Sequence, residues 1–323
     1  MPTRTLVTGG SGYVGAWVVE ELLGSGREVR VVDALLHRQH AVADAQRHAG
    51  VEVMQADIRD ATARRRALRG VDEVVHLAAI VGDPACARDP ATSHAVNVEA
   101  THHLIAEAAN GAVRRFVFAS TCSNYGRVAD PTVPIAEDGV LAPVSLYAEQ
   151  KVAVERRLLG EDRSRLEACC LRFATVYGVA PRMRFDLTVN EFTRDLWADR
   201  LLEVFGEQFW RPYVHVRDAA RAVAVVLDAS GEAVAGEVFN VGRSDENYRK
   251  LDLVREIQAR LGRRRVAFVR RDEDPRDYKV SFEKVRLRLG FEPPTTVPDG
   301  IAEVAAALDR GAFGDPFDSR YRN

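Results

Sequence analysis

The chain has 323 residues, of which 46% are hydrophobic, and its formal net charge is −2, so it is long enough for one large α/β domain with a second lobe, or for two domains. Because the charges are balanced and no apolar run approaches the length of a membrane-spanning helix, we expect neither nucleic acid nor a membrane to be a main partner. The chain enters its first strand without a signal-peptide pattern and its four cysteines lack metal-ligand spacing, which predicts a cytoplasmic protein with reduced thiols and no metal.

The first predicted elements have the order of a dinucleotide-binding βαβ unit. Residues 4–8 form an apolar run that predicts a buried strand, and the sequence GGSGYVG follows at residues 9–15. Apolar residues at three- and four-residue spacing then predict a helix that ends near Gly24. Residues 28–33 predict a second strand, which is closed by the acidic residue Asp33. A glycine turn in this full context is a strong indication of a dinucleotide site.

The glycines of this turn have separate physical roles. Gly9 allows the tight turn, Gly12 lets the backbone approach a pyrophosphate, and Gly15 lets the helix pack against the strand. The helix N-terminus begins near Tyr13 and Val14, and it offers N–H donors and a positive dipole end to the phosphates. All five residues are therefore predicted to bind the cofactor.

Asp33 decides which dinucleotide is expected. It lies 18 residues after Gly15, within the range where a carboxylate binds the hydroxyl groups of the adenosine ribose. The same carboxylate would repel a 2′-phosphate, so NAD(H) is favoured over NADP(H). Arg38 is close enough in sequence to keep NADP(H) as an alternative.

Two further predicted strands end at the same edge of the sheet. Residues 51–57 predict the third strand, whose carboxyl end borders the adenine in folds of this kind, and residues 73–79 predict the fourth, which ends in small residues. The strand ends expected to line the cofactor carry Asp57, Ile58, Leu77, Ala78 and Ala79. His76 lies within the apolar fourth strand and is predicted to be a core histidine. Residues 80–84 follow at the edge where ligands bind in doubly wound folds.

A phenol and an ammonium group occur four residues apart in the middle of the chain. A helix is predicted over residues 92–110 and a fifth strand over residues 115–119, and the polar sequence STCSNYG follows at residues 120–126. After about 20 residues of proline-punctuated loop, a predicted helix carries Tyr147 and Lys151, which are neighbours at helical pitch. On spacing alone this is an ordinary surface pair. Lys151, however, is the first of only four lysines in an arginine-rich chain.

Together these motifs resemble the extended short-chain dehydrogenase/reductase family, and most of all its NAD-dependent nucleotide-sugar epimerases and dehydratases. The motifs that carry the resemblance are the glycine turn at 9–15, Asp33, Asp57, Thr121, Tyr147 and Lys151. They occur in the order and spacing of the family, and the resemblance extends over nearly the whole chain. It implies an α/β fold, with a Rossmann-type doubly wound parallel sheet and a smaller mixed α/β C-terminal substrate lobe.

The resemblance also implies catalytic roles for three side chains. Tyr147 takes a proton from a sugar hydroxyl group while a hydride passes from that carbon to the nicotinamide. Because the reference pKa of tyrosine is near 10, its phenolate needs positive charge nearby, which Lys151 and the nicotinamide ring supply. Lys151 would also hold the nicotinamide ribose, and Thr121 would hydrogen-bond the reacting sugar oxygen.

The two positions after Thr121 depart from the pattern of the dehydratases. Those enzymes carry Asp and Glu there, and the decarboxylases carry Glu at the second position, whereas this chain has Cys122 and Ser123. Without a carboxylate at these positions, a C4 epimerase that recycles NAD, or an NDP-4-ketosugar reductase that consumes NADH, is favoured over a dehydratase. The complete set of Thr121, Tyr147 and Lys151 argues against a silent dinucleotide sensor. Cys122 is either an acid in the reaction or a small residue that lines the pocket.

The last part of the chain is expected to bind the substrate. Thr175 stands where sugar-nucleotide epimerases usually carry Asn, and Asn190 resembles the residue that contacts the phosphates of the nucleotide. Arg211 and Arg276 resemble family arginines that reach the diphosphate, an anion that suits the guanidinium fork. The expected substrate contacts are Cys122, Ser123, Thr175, Asn190, Arg211 and Arg276. The polar tail from Gly311 is expected to be mobile.

The expected domains follow from the same resemblance. Residues 1–177, with strand and helix returns from about 213–242, would form the NAD-binding domain, and residues 178–323 would form mainly the substrate-binding lobe. Family members commonly dimerise through helices that correspond to residues 93–110 and 145–160, so a homodimer is expected. A nucleotide sugar is the expected substrate, although the sequence names neither its base nor its sugar.

Overall fold

The computed structural model describes residues 2–37, 50–160, 166–270 and 276–323. Arg38, which kept NADP(H) as an alternative, lies outside the described residues. The strands are β1 Arg4–Thr8, β2 Glu28–Asp33, β3 Val51–Gln55, β4 Glu73–His76, β5 Arg115–Thr121, β6 Glu167–Phe173, β7 Thr175–Tyr177, β8 Leu202–Val204, β9 Trp210–His215, β10 Glu237–Val241, β11 Asn247–Arg249 and β12 Val266–Phe268. The α-helices are α1 Gly15–Gly24, α2 Ala61–Ala67, α3 Asp83–Arg88, α4 Pro90–His94, α5 Thr101–Ala109, α6 Leu146–Gly160, α7 Thr188–Trp197, α8 Val216–Asp228, α9 Gly231–Val234, α10 Lys250–Leu261, α11 Glu283–Leu289 and α12 Val297–Asp309.

Seven strands of the described ranges form a central parallel sheet. Their order is β3-β2-β1-β4-β5-β6-β10, and in the middle of the sheet Val7 pairs with Val31 on one side and with Val75 on the other. Apolar runs without alternation are typical of parallel strands covered by helices on both faces. The strand order reverses between β1 and β4, with β2 and β3 on one side and β4, β5 and β6 on the other, and this is the switch point where ligands bind in such sheets. The predicted doubly wound parallel sheet is therefore confirmed.

Helices cover both faces of this sheet, as the residues of β1 illustrate. Val7 packs in a cluster with apolar residues of α1 and α8, whereas its neighbour Leu6 packs in another cluster with residues of α5 and α6. Successive strand residues point to opposite faces. The core is therefore divided by the sheet into two layers.

A smaller set of elements lies beside the sheet. In the described residues, β11, β9 and β7 form a three-stranded sheet with one antiparallel and one parallel pairing, and β12 pairs with β8. Tyr177, Leu196, Leu253 and Ile301 belong to the apolar cluster that joins this part to α7, α10 and α12. None of the helices that the structure describes is long and apolar enough to cross a membrane.

The C-terminal tail packs against the body of the protein, so the prediction of a mobile tail was wrong. The ring of Tyr321 is buried, 5.5 Å from the ring of Phe185 and 5.9 Å from that of Phe313. The amide of Phe185 donates to the carbonyl of Tyr321 at 2.9 Å. The polar composition after Gly311 conceals a few aromatic residues that anchor the tail.

An ion pair is buried under the carboxyl end of β5. Arg172 Nη2 lies 2.7 Å from Glu155 Oε2, with only 5% and 2% of the two side chains exposed, and Asn124 Nδ2 also donates to the Glu155 carboxylate at 2.9 Å. We expect Glu155→Gln to lower the free energy of unfolding by about 3–5 kcal/mol, because it leaves the buried charge of Arg172 uncompensated. Urea denaturation measures this loss.

The exposed pair of Arg286 and Glu283, 2.6 Å apart, provides the matched control. Exposed ion pairs contribute little to stability, so Glu283→Gln should leave the urea midpoint almost unchanged. Equal small effects of the two substitutions would contradict the importance given to the buried pair.

Candidate active site

The glycine turn after β1 is packed too closely for side chains. Gly9 has φ +74°, and a Cβ there would lie 2.7 Å from the amide nitrogen of Ala78; a Cβ on Gly15 would lie 2.1 Å from the carbonyl oxygen of Gly9. A Cβ on Gly12 would meet the same oxygen at 3.1 Å. The turn is fixed to the sheet because the amide of Gly9 donates to Val32 at 2.8 Å. Only glycine therefore fits at Gly9 and Gly15.

Asp33 and Asp57 lie side by side at the ends of β2 and β3. The Asp33 carboxylate accepts from the amide of Ser11 at 2.9 Å, which ties it to the glycine turn, and the amide of Ala56 donates to the Asp33 carbonyl at 3.0 Å. Arg59 pairs with Asp57 at 2.7 Å and lowers the pKa of that carboxyl group below its usual range. Each carboxylate oxygen can accept more than one hydrogen bond. Both acids can therefore still bind polar groups of an adenosine.

The end of β4 passes directly beside the glycine turn. The amides of Leu77 and Ala78 donate to the carbonyl and the hydroxyl oxygen of Thr8, at 3.1 and 3.3 Å. The ring nitrogens of His76 lie 2.7 Å from Thr8 Oγ1 and 2.8 Å from Thr101 Oγ1, and burial lowers the pKa of His76 to about 3. The prediction of a core histidine is confirmed. Ala79, which follows β4, and Ile58, which follows β3, stay predicted cofactor contacts.

Asn190 does not face a ligand, so its predicted contact with phosphates was wrong. The side chain is fully buried, accepts from the amide of Gly178 at 2.9 Å, and donates to the carbonyl of Arg184 at 2.9 Å and to the hydroxyl group of Tyr13 at 3.1 Å. Tyr13 in turn donates to the Gly178 carbonyl at 2.6 Å. Both side chains join the turn after β7 to α1. Tyr13, like its neighbour Val14, thus retains only its backbone for the cofactor.

The three predicted catalytic residues lie on β5 and on the helix beside it: Thr121 ends β5, and Tyr147 and Lys151 lie on α6. Lys151 is 4% exposed; its Nζ donates to the carbonyl of Ala119 at 2.7 Å and lies 5.8 Å from the centre of the Tyr147 ring. Thr121 Oγ1 accepts from the amide of Ser123 at 3.1 Å, which leaves its hydroxyl hydrogen for another acceptor. Lys151 thereby joins the helix that carries Tyr147 to β5, two residues before Thr121.

The surroundings of Tyr147 keep its phenol protonated. Burial raises the pKa of Tyr147 above its usual value, the nearby Cys86 and Asp83 raise this pKa further, and the Arg184 guanidinium lowers it. Additional positive charge is therefore needed before this phenol can act as a base near neutral pH. An oxidised nicotinamide carries such a charge.

Burial also lowers the pKa of Lys151 to about 8 from an ordinary value of 10.5. The charged amine therefore destabilises the fold below pH 8, and this penalty is relieved as the pH rises from about 8 to 10.5, where the unfolded chain binds more protons. We expect Lys151→Met to raise the free energy of unfolding at pH 7, and to lose most of this advantage at pH 10. Urea denaturation of both proteins at both pH values tests this; an equal advantage at both would assign the effect to packing.

Cys122 is turned into the core, so its predicted place in the substrate pocket was wrong. Its side chain is 1% exposed, and the thiol donates to the carbonyl of Arg172 at 3.2 Å. Burial raises the pKa of Cys122 far above its usual value. Neither an acid in the reaction nor a pocket lining is compatible with this position, because the short helical turn at Cys122–Tyr125 buries Cys122 together with Asn124 and Tyr125.

The structure brings Ser123 and the two predicted arginines together. Arg276 Nη1 lies 3.4 Å from Ser123 Oγ, and the guanidinium of Arg211 donates to the backbone carbonyls of Trp210 and Arg276. Arg211 therefore supports the segment that carries Arg276. Thr175 lies half-buried in β7, opposite Tyr213 of β9, and stays a predicted contact.

Three charged residues at this site were missed by the sequence analysis. Asp83 Oδ2 lies 3.0 Å from Arg276 Nη1. Arg184 is bound by Asp186 at 2.8 Å and is near enough to Tyr147 to lower its pKa. Arg182 is buried near Arg184, and both lie on the segment that follows β7. The only signal for Asp83 was its place at the ligand edge of the sheet; the arginines gave none.

The sequence and the structure are similar to those of known proteins over most of the chain. The sequence model of the NAD dependent epimerase/dehydratase family matches residues 5–242. A UDP-glucose 4-epimerase of Mycolicibacterium smegmatis is 31% identical over 308 residues, which cover 93% of this chain and 96% of that protein. Two similar solved structures are a UDP-glucose 4-epimerase of Thermotoga maritima with UDP-glucose (26% identity, TM-score 0.85, 96% of this chain and 100% of that one) and a dTDP-glucose 4,6-dehydratase of Streptomyces venezuelae with NAD bound (27% identity, TM-score 0.87, 98% and 100%).

Proposed function

Because this chain belongs to the NAD-dependent epimerase/dehydratase family and is an NAD-dependent enzyme, we propose that it is a nucleotide-sugar epimerase that acts at C4 through a transient 4-keto sugar. The observation that carries this proposal is the group of Thr121, Tyr147 and Lys151 at the end of β5. Neither of the two residues after Thr121 carries a carboxylate: Cys122 is buried in the core, and Ser123 has a neutral hydroxyl group. This favours proton and hydride exchange at one carbon over the elimination of water.

The residues at the switch point of the sheet fit NAD. Backbone atoms occupy the space that a side chain at Gly9 or Gly15 would need, so the turn is as tight as the glycine turns that bind a pyrophosphate. Asp33 would bind the adenosine ribose, Asp57 would border the adenine, and Lys151 would hold the nicotinamide ribose. The remaining contacts proposed for NAD are Gly12, the backbone of Tyr13 and Val14, Ile58, Leu77, Ala78 and Ala79. Bound NAD supplies an acceptor and donor of hydride at the sugar carbon.

Side chains of this protein, rather than the cofactor, would transfer the proton. Tyr147 would take the proton of the C4 hydroxyl group, and Thr121 would donate a hydrogen bond to the same oxygen as it becomes a carbonyl. The ammonium group of Lys151, 5.8 Å from the Tyr147 ring centre, favours the phenolate that this step requires. After the keto sugar has turned its other face, Tyr147 would return the proton to the C4 oxygen as the hydride is returned to C4, which would give the C4 epimer.

The nucleotide part of the substrate would lie toward the smaller set of elements. Arg276 and Ser123 are within 3.4 Å of each other and would bind the diphosphate and the sugar, with Arg211 supporting Arg276. Thr175 of β7 is a further proposed substrate contact. Residues 1–177, with the return from about 213–242, would bind NAD, and residues 178–323 would mainly bind the substrate. We also propose a cytoplasmic homodimer.

The state of the cofactor tests the proposed reaction. Purified protein should release nearly one equivalent of NAD on denaturation, and it should interconvert a pair of C4-epimeric nucleotide sugars without added cofactor. UDP-, dTDP-, GDP- and CDP-sugars would be screened. A protein that carries no NAD and consumes NADH with a 4-keto sugar would instead be a ketoreductase, and formation of a 4-keto-6-deoxy product would identify a dehydratase.

A further inference from the structure

Asp83 lies in a loop that the structure holds in one position. Asn97 accepts from the amide of Ile80 at 2.8 Å and donates to the Ile80 carbonyl at 2.9 Å. Asn97 also donates to Gln150 of α6 at 2.8 Å. The helix predicted over 92–110 is interrupted here by a π-helical turn at Ala95–Ala100, a feature often found at functional sites. The loop before α3 is therefore fixed to the helix that carries Tyr147.

One oxygen of the Asp83 carboxylate has a partner and the other has none. Oδ2 is paired with Arg276 at 3.0 Å. Oδ1 is buried, and within the described residues it accepts no hydrogen bond. A buried carboxylate oxygen without a donor is unfavourable, and such groups in folded proteins call for an explanation. A donor on a bound ligand would satisfy it.

The position of Asp83 identifies the part of the ligand that could supply this donor. Its partner Arg276 is also within 3.4 Å of Ser123 Oγ, two residues after Thr121. The charge of Asp83 acts on the Tyr147 phenol, since it contributes to raising the pKa of Tyr147. The carboxylate is thus paired with the proposed diphosphate ligand and near enough to the proposed base for its charge to act on it, and the sugar would be placed beside these two groups.

We propose that Asp83 is a specificity-determining residue that accepts a hydrogen bond from a hydroxyl group of the substrate sugar, an inference that rests on the proposed function. A carboxylate accepts from hydroxyl groups and repels other carboxylates. The sugar would therefore be a neutral one with a hydroxyl group at this position. The carboxylate of a uronic acid would be repelled by Asp83. A sugar that lacks this hydroxyl group would leave the Asp83 carboxylate without a hydrogen-bond donor.

Calorimetric titration of the NAD-loaded protein with UDP-glucose, dTDP-glucose and the two free diphosphates tests this role. The wild type should bind the nucleotide sugar more tightly than the corresponding free diphosphate. Asp83→Ala should weaken the binding of the nucleotide sugar about 10- to 100-fold. The affinity for the free diphosphate should stay nearly unchanged. Asp83→Asn should also improve the relative turnover of UDP-glucuronate against UDP-glucose, because the repelling charge is gone.

Asp89→Asn is the matched control, since Asp89 caps α4 in the same segment and Asn preserves a cap; it should change neither affinity. Unchanged sugar binding by Asp83→Ala would overturn the inference. Equal weakening of sugar nucleotide and free diphosphate would also overturn it, because Asp83 would then act only by holding Arg276. If the wild type binds neither nucleotide sugar while the variants stay folded by circular dichroism, the proposed function is wrong. The inference, which rests on that function, is then wrong as well.

Discussion

We expect Tyr147→Phe to lower kcat by roughly 10²- to 10⁴-fold, the usual contribution of a general acid–base group, while the protein keeps its NAD. The substitution removes only the hydroxyl group that would exchange a proton with the sugar. The ring, which lies 5.8 Å from Lys151 Nζ, stays in place. Turnover of the nucleotide sugar and the NAD released on denaturation, measured on the same preparation, check both parts of this expectation.

Tyr248→Phe is a suitable control for this substitution. The hydroxyl group of Tyr248 donates to Glu246 at 3.2 Å in β11 and the adjoining turn, away from the end of β5. Its loss should leave kcat and NAD content unchanged. Wild-type turnover by Tyr147→Phe would remove Tyr147 from the proposed reaction, and loss of NAD from this variant would show that the hydroxyl group has a binding role instead.

We expect Gly15→Ala to abolish stable NAD binding and to lower the free energy of unfolding by about 1–3 kcal/mol, as overpacking of a core does. The new Cβ would lie 2.1 Å from the Gly9 carbonyl oxygen and 2.8 Å from the Cα of Gly10. These are backbone atoms, so the glycine turn must move away from α1. The NAD content of the purified variant and its urea midpoint measure the two effects.

Gly24, at the other end of α1, offers the control for this change. A Cβ on Gly24 would meet no atom within 4 Å. Because alanine is the better helix former, Gly24→Ala should leave NAD binding intact and change stability by at most about 1 kcal/mol, in the stabilising direction. A normal NAD content in Gly15→Ala would contradict the close packing on which the proposed cofactor site depends.

The parts of this protein that could be predicted are those that local patterns determine. The bounds predicted for β1 and β2 match the structure, because each is a short segment with a buried apolar centre next to a glycine-containing turn. The glycine turn was predictable as well, since only a few backbone geometries join such a strand to a helix. The end of β5 is longer than predicted: the strand continues to Thr121, because polar residues there still pair with β6.

The errors concern side-chain direction and contacts between distant parts of the chain. Whether Cys122 faces the pocket or the core depends on one short helical turn, and periodicity over so few residues is not informative. Asn190 was matched to a ligand, yet its partner Tyr13 lies 177 residues away. Asp83 becomes a candidate site residue only because it pairs with Arg276, which is far away in the sequence. Sequence spacing carries no information about such pairs.

The position of β10 determines how the protein can be divided. β6 pairs with β5 on one side and with β10 on the other, and its residues Cys169 and Leu171 are fully buried. A fragment that stops at Tyr177 would lack both β10 and the covering helix α8. Its β6 would become an uncovered apolar edge, which is a template for pairing between chains. The N-terminal half expressed alone should therefore aggregate, and any separately soluble cofactor-binding fragment must extend through Val241.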